Sequence, residues 1–298
     1  VRIAAAFTGR ANLIANIDGL AILDVSRVRA VNAVDEAVTL ATVPPYTVVH
    51  ARQILATVKI IPFAAPGGAV RAAAAHAAKG EPLVRVAEFR DRPVGLVQTT
   101  AESLHTKVLD KTTRTVSDRL ERYGAHLERE IRCPHEESDV AEAIGQLVRE
   151  GCAPVLVIGA SAIVDRRDVI PTAIERAGGE VDRFGMPVDP GNLLLLAHHG
   201  NVPVVGAPGC ARSSKFNGFD HVLTRLLAGI PVDAENVGTM GAGGLLSELA
   251  ARPQPRAAVV KAPEAPRVAA LVLAGGLSRR TGKANKLLAT LNGTAIVA

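Results

Sequence analysis

The sequence predicts an α/β protein whose centre is a three-layer αβα fold with a mostly parallel sheet. Three observations predict it. Between residues 83 and 229, short apolar runs alternate with stretches of helical length. The runs are rich in Val, Leu and Ile, as strands covered on both faces must be. Glycines at Gly124, Gly151 and Gly178 close the helical stretches just before the next strand or loop. A small α+β region is expected before this unit. The start of a further α/β unit is expected after it.

The elements follow in order. In the first region, residues 1–82, Val38–Thr42 reads as a strand, and so do residues 54–63. The second is β-branched and is stopped by Pro62 and by Pro66-Gly67-Gly68. Ala-rich residues 69–79 form a helix ended by Gly80. The second region spans residues 83–229. There 93–99 is a strand, 107–123 a helix and 126–132 strand-like. Ser138 and Asp139 are expected to cap a helix running to Glu150. Residues 154–158 form a buried strand, 168–177 a helix, 202–205 a strand and 213–227 a helix. Residues 230–266 are rich in Gly and Pro and read as an extension and linker. In residues 267–298 a strand at 268–274 leads into the loop Gly275-Gly276. A strand, a loop and a few more residues cannot bury a core alone. The chain also begins with Val1 rather than Met, so truncation at both ends is expected.

Composition narrows the function classes. At 298 residues the chain suits about two domains. Aromatics are only 3% and Trp is absent, which leaves few platforms for stacking bases. The net charge of +5 is local: Arg267, Arg279, Arg280, Lys283 and Lys286 face no acid between residue 267 and the end. The rest of the chain is balanced, so the broad basic face of a nucleic-acid binder is not expected. Cys133, Cys152 and Cys210 are odd in number, far apart and form no CxxC, which speaks against a disulfide framework or a structural zinc. No apolar run reaches the ~20 residues of a membrane span, and no signal peptide is visible. A cytoplasmic protein is expected, with small phosphorylated ligands rather than nucleic acid or membrane.

In an open parallel sheet, ligands sit at the carboxyl ends of the strands, where following helices present free N–H groups to anions. Three loops are placed there. The first runs Gln98-Thr99-Thr100-Ala-Glu102-Ser103. The second runs from Gly159-Ala160-Ser161 to Asp168 and Pro171. The third is Val205-Gly-Ala-Pro208-Gly209-Cys-Ala-Arg-Ser213-Ser214. Taken singly they read as capped helix entries and tight turns, and Asp168 as an N-cap or a catalyst.

Taken together, in their order and spacing, the loops resemble the molybdopterin-binding domain shared by molybdopterin adenylyltransferases and molybdopterin molybdenumtransferases. Arg166-Arg-Asp-Val-Ile-Pro171 is close to that family's Arg-Arg-Asp-Val-Thr-Pro run, and Gly159-Ala160-Ser161 stands where the family carries Thr-Gly-Gly. Gly185-Met-Pro-Val-Asp-Pro-Gly191 resembles a strand ending in Lys-Pro-Gly, and Gly206-Ala-Pro-Gly209 resembles Gly-Leu-Pro-Gly-Asn-Pro. Glu102 stands where the molybdenumtransferases carry the Glu of Thr-Gly-Asp-Glu. The resemblance covers residues 93–229. It implies a pterin and phosphate site at Thr99, Thr100, Glu102, Gly159, Ala160, Ser161, Pro208, Gly209, Ser213 and Ser214. It implies that Asp168 is catalytic and a ligand of Mg²⁺, and that the protein assembles as a homo-oligomer. Three departures stand out. Ala160 replaces a glycine and Cys210 an asparagine. Cys133-Pro-His-Glu-Glu137 replaces the Asp after the second strand, so either His135, Glu136 or Glu137 substitutes for it or its role is lost.

The tail carries a second resemblance. Leu273-Ala-Gly-Gly-Leu-Ser-Arg-Arg-Thr-Gly-Lys-Ala-Asn-Lys-Leu-Leu288 is similar to the nucleotidyltransferase signature of molybdenum cofactor cytidylyl- and guanylyltransferases, with Thr281 in place of the usual Met. Glycines there let backbone N–H groups reach a triphosphate, which arginine and lysine neutralise. The resemblance implies a Rossmann-like start and nucleotide contacts from Leu273, Ala274, Gly275, Gly276, Ser278, Arg280, Gly282 and Lys286. The implied nucleotide is CTP or GTP, or ATP. The implied function is molybdenum cofactor biosynthesis, by transfer of CMP or GMP or, alternatively, by a carrier domain without turnover. Client molybdoenzymes or their chaperones are the implied protein partners.

Other candidates read blandly. His198 and His199 are adjacent, so on a strand they face opposite sides. Cys133 and His135 could share a direction but offer only two metal ligands. Gly241-Ala-Gly-Gly244 lacks the spacing of a dinucleotide loop.

Overall fold

The computed structural model describes residues 1–102 and 104–246, together with the backbone of 290–291 and 294–295. The chain opens with β1 (Arg2–Ile3), β2 (Arg10–Ile14), β3 (Gly19–Leu23), α1 (Val25–Asn32), β4 (Val38–Thr42), β5 (Val48–Val49), β6 (Ile54–Ile60), α2 (Gly67–Ala78) and β7 (Val84–Glu88). One antiparallel sheet has the order β1-β2-β6-β4 and a second has β5-β3-β7. α1 and α2 pack together over a core of Val31, Leu40, Leu55 and Ala73. The expected small α+β region is therefore present. Its sheet reaches past residue 82, because Val84–Glu88 pairs antiparallel along the whole of β3. β2, β3 and α1 escape the sequence reading. All three are short; charges at Arg10 in β2 and at Arg27 and Arg29 in α1 blur the periods there, and the five-residue run Gly19–Leu23 is uncharged and too short to show one.

The second layer system comprises β8 (Pro93–Thr100), α3 (Thr106–Glu121), β9 (His126–Pro134), α4 (Glu137–Arg149), β10 (Val155–Ile158), α5 (Val169–Arg176), β11 (Glu180–Phe184), β12 (Leu195–His199), β13 (Val202–Gly206) and α6 (Gly218–Leu227). Its six strands have the order β11-β12-β13-β10-β8-β9. β13, β10, β8 and β9 are parallel neighbours, while β12 and β11 add antiparallel at one edge. The mostly parallel αβα sandwich is thus as expected.

Strand period decides which face each residue serves. On β10, Leu156 and Ile158 join Val94, Leu96 and Val205 beneath α3 and α6. Val155 and Val157 join Val97 and Val204 beneath α4 and α5. All four β10 side chains are buried, each contributing about 1.5–3 kcal/mol by leaving water.

Several boundaries differ from expectation. α6 does not start at residue 213. Residues Gly209–Arg212 form a 3-10 turn, and the helix starts at the Asn217 cap, which forms a reciprocal capping box with Asp220. α4 starts before Ser138, with Glu136 at its N-cap and no side-chain cap bond. Residues 185–191 are a turn rather than a strand end: Met186 N–H returns to the Asn192 carbonyl. The strand lies just before it, as β11.

After α6 come α7 (Ala234–Gly238) and a 3-10 turn at Thr239–Gly241, within the stretch read as extension and linker. Residues 1–248 cluster as one unit and 249–298 as another. In the second, β14 (Thr290–Leu291) pairs antiparallel with β15 (Thr294–Ala295). The strand expected at 268–274 lies outside the described residues. Among the described residues, no helix is long and apolar enough to cross a membrane.

Candidate functional site at the carboxyl rim of the sheet

β8, β9, β10 and β13 run parallel, so their carboxyl ends open on one rim. There Thr99, wholly buried, points its hydroxyl at the second loop. Ala160 N–H donates to Thr99 Oγ1 at 2.6 Å. The same oxygen is 2.8 Å from His135 Nδ1, and His135 Nε2 is 3.1 Å from Ser161 Oγ. Either neutral tautomer satisfies this chain of contacts, with the hydroxyl rotors turning to match. The first and second loops are thus tied by one imidazole, which comes from the turn after β9.

The third loop sends a cation into the same place. Arg212 donates to Thr112 Oγ1 at 2.7 Å, to the Gly159 carbonyl at 3.0 Å and to Gln98 Oε1 at 3.5 Å. Gln98 is itself held by its amide, which donates to Glu130 at 2.7 Å. Burial lowers the Arg212 pKa, as removal from water disfavours the charged form. No carboxylate forms an ion pair with Arg212 among the described residues. Its charge is oriented by neutral acceptors and so remains available to an anion.

Buried Arg119 fixes the third loop from behind. It pairs with Asp220 at 2.7 Å and donates to the Ala211 and Ser213 carbonyls at 2.9 and 2.6 Å. Gly159 is required where the second loop turns: a Cβ there would lie 2.6 Å from the Ser161 carbonyl oxygen and 2.8 Å from Ile170 Cδ1.

The expected residues divide accordingly. Thr99, Gly159, Ala160 and Ser161 are brought together. Thr100 turns away, its hydroxyl donating to the Cys133 carbonyl at 3.1 Å. Glu102 is exposed beside the described end of the first loop. Pro208 and Gly209 open the 3-10 turn. Ser213 Oγ accepts from Lys215 N–H at 3.2 Å, which stabilises the loop, and Ser214 is exposed. Asp168 occupies the N-cap position of α5 without capping it. Its carboxylate accepts Val164 N–H at 2.7 Å and Asp165 N–H at 3.0 Å, closing the second loop on itself.

Of the residues offered for the missing family Asp, His135 is the one that reaches the loops. Cys133 does not share its direction. The thiol lies in the core under α4, and burial there raises its pKa to about 11. Arg212 was not singled out by sequence, although it is the only cation in residues 205–214, a signal that could have found it. His198 bonds Asp182 while His199 bonds the Ala177 carbonyl, on opposite sides as expected. The nucleotide candidates from Leu273 to Lys286 lie outside the described residues.

Among the described residues, no three His, Cys, Asp or Glu side chains gather to hold a metal ion. Mg²⁺ is often held by one or two carboxylates plus a ligand's phosphates. Asp168 is the carboxylate that the family resemblance offers for that role.

Residues 95–229 match the family model described as a probable molybdopterin binding domain. Among curated proteins, none matches the chain. Among solved structures, the chain is similar to the molybdopterin biosynthesis MoeA protein from Pyrococcus horikosii. The two share 18% identity over 72% of this chain and 67% of that one, with a TM-score of 0.35. Over residues 95–229 the chain is thus similar to the probable molybdopterin binding domain family.

Proposed function

We propose that this domain binds molybdopterin at the carboxyl rim as a step of molybdenum cofactor biosynthesis. The convergence of Thr99, Ser161, His135 and Arg212 carries the reading. Arg212 meets the terminal phosphate, the exposed Ser161 hydroxyl serves phosphate or pterin, buried Thr99 holds the second loop in place for it, and Gly159 and Ala160 let backbone approach. Where Mg²⁺ takes part, Asp168 holds it against the ligand's phosphates. In a longer protein the segment from residue 267 onward binds CTP or GTP and transfers the nucleotide to the cofactor. Homo-oligomers and contacts with molybdoenzymes or their chaperones belong to the same proposal.

A second reading has its own support. The Asp168 carboxylate is engaged by two loop N–H groups, and a histidine stands where the family carries an acid. Both favour a carrier that holds the pterin without turning it over. Asp168→Asn keeps an acceptor for those N–H groups and removes the charge. An enzyme would keep its pterin affinity and lose product formation with Mg²⁺ and ATP, CTP or GTP. A carrier would bind in both forms and make no product in either. Absence of pterin binding by the unaltered chain would sink both readings.

A further inference from the structure

At the opposite end of the same sheet lies a group of cations that the carboxyl-rim site does not use. Arg90 and Arg92 stand just before β8, beside Gly229 at the end of α6. A Cβ built on Gly229 would be 3.3 Å from Arg92 Nη2 and 3.4 Å from Arg90 Cζ, so the two guanidinium groups flank one point. Neither forms an ion pair with a carboxylate among the described residues. Arg92 Nε is buried and has no hydrogen-bond partner.

Such an arrangement calls for an acceptor. Like charges repel at this range, and a buried N–H left unpaired is rare in folded proteins. The C-terminal end of α6 attracts cations. Its last carbonyls are nevertheless occupied by backbone: Arg225 by Ile230 N–H, Leu226 by Gly229 N–H and Leu227 by Arg90 N–H. Two cavities adjoin the arginines. One of about 360 Å³ is lined by Arg85, Arg90, Gly229 and Pro231, with Glu88 as its one carboxylate. The other, of about 630 Å³, is lined by Arg92, Leu226, Gly229 and Ile230, with Asp182 and Asp233 at its wall. Both acids have partners: Asp182 bonds His198, and Asp233 accepts Asn236 N–H.

We propose that Arg90 and Arg92 form a second anion site, at the amino rim, which takes a phosphate group between the two guanidinium forks. Planar forks match tetrahedral oxyanions by paired N–H donors. The phosphate supplies the acceptor that Arg92 Nε lacks. The free ion and an esterified phosphate share this chemistry. The apolar wall of Leu226, Ile230 and Pro231 suits the organic part of an ester.

The test is calorimetric titration of the full 298-residue chain at low salt, with inorganic phosphate and with phenyl phosphate. Arg90→Gln alters an exposed residue and leaves the fold intact; Arg92→Lys keeps the charge and removes Nε. Each variant is expected to weaken phosphate binding at this site at least tenfold. Arg212→Gln, at the other rim, is expected to leave it unchanged. Tighter binding of phenyl phosphate would assign the site to an ester, and equal binding to free phosphate. Phosphate affinity unchanged in both Arg90→Gln and Arg92→Lys, or lost only in Arg212→Gln, would overturn the proposal.

Discussion

The two rims of one sheet hold positive charge in different ways. At the carboxyl rim, Arg212 is fixed by Thr112, Gln98 and the Gly159 carbonyl before any ligand arrives. At the amino rim, Arg90 and Arg92 crowd Gly229, and Arg92 Nε has no partner. A cation aimed by neutral acceptors meets an anion with little reorganisation, so binding keeps more of its interaction energy. A pair of cations without acceptors is instead relieved by the anion itself. The difference teaches that a charge census does not locate a site. The acceptors around each cation do.

The comparison can be broken most severely through Arg119. Its removal leaves the Asp220 carboxylate buried without a partner and frees the carbonyls of the third loop. Arg119→Met should cost about 3–5 kcal/mol of stability, read by urea unfolding. A loss below about 1 kcal/mol, the ceiling typical of an exposed pair, would show that the Arg119–Asp220 pair does not hold the carboxyl rim. Gly159→Ala is next. The added methyl has no room against the Ser161 carbonyl and Ile170. A cost of about 1–3 kcal/mol is expected, with loss of pterin affinity, since the loop must move. An alanine variant as stable as the parent would mean the turn is looser than described.

pH sharpens the comparison more gently, through two histidines shifted in opposite senses. Burial lowers the pKa of His221 on α6, helped by the charge of Arg225. Its neutral form is the favoured one. Its contribution to stability is therefore present above about pH 6.5 and lost as pH falls through the lowered value. His126, at the start of β9 near Arg92, is raised by its bond to Asp91 and then by Glu128. Its contribution is present below about pH 6.5 and lost as pH rises through the raised value. NMR titration of the imidazole protons should place His221 below His126. The reverse order would contradict both environments.

Much of the fold was legible in the sequence, for a physical reason. Val155, Leu156, Val157 and Ile158 are buried on both faces, and such a run is written plainly. The helix pattern of α3 and α4 was equally plain. The antiparallel edge was not. Glu180–Phe184 is an edge strand with exposed charges, and it reads as loop until its partner β12 is seen. The start of α6 was misplaced because Ser213 and Ser214 imitate a cap, whereas Asn217 and Asp220 form it.

At the site, Thr99 and Gly159–Ser161 could be found from strand ends alone. His135 was visible as one of three substitutes, and only geometry separates it from Glu136 and Glu137. Arg212 and Arg119 could not be ranked by sequence. What makes them functional or structural is the set of carbonyls and hydroxyls that surround them, drawn from segments about 50 to 114 residues away.

The measurement that tests the central claim most directly is a fluorescence titration of the chain with molybdopterin, in parallel with Arg212→Gln and Arg90→Gln. Saturable binding is predicted, weakened at least tenfold by Arg212→Gln, about 1.5–3 kcal/mol for a charge-assisted contact, and untouched by Arg90→Gln. Binding indifferent to Arg212→Gln, or absent from the unaltered chain, would contradict the assignment of the pterin to the carboxyl rim.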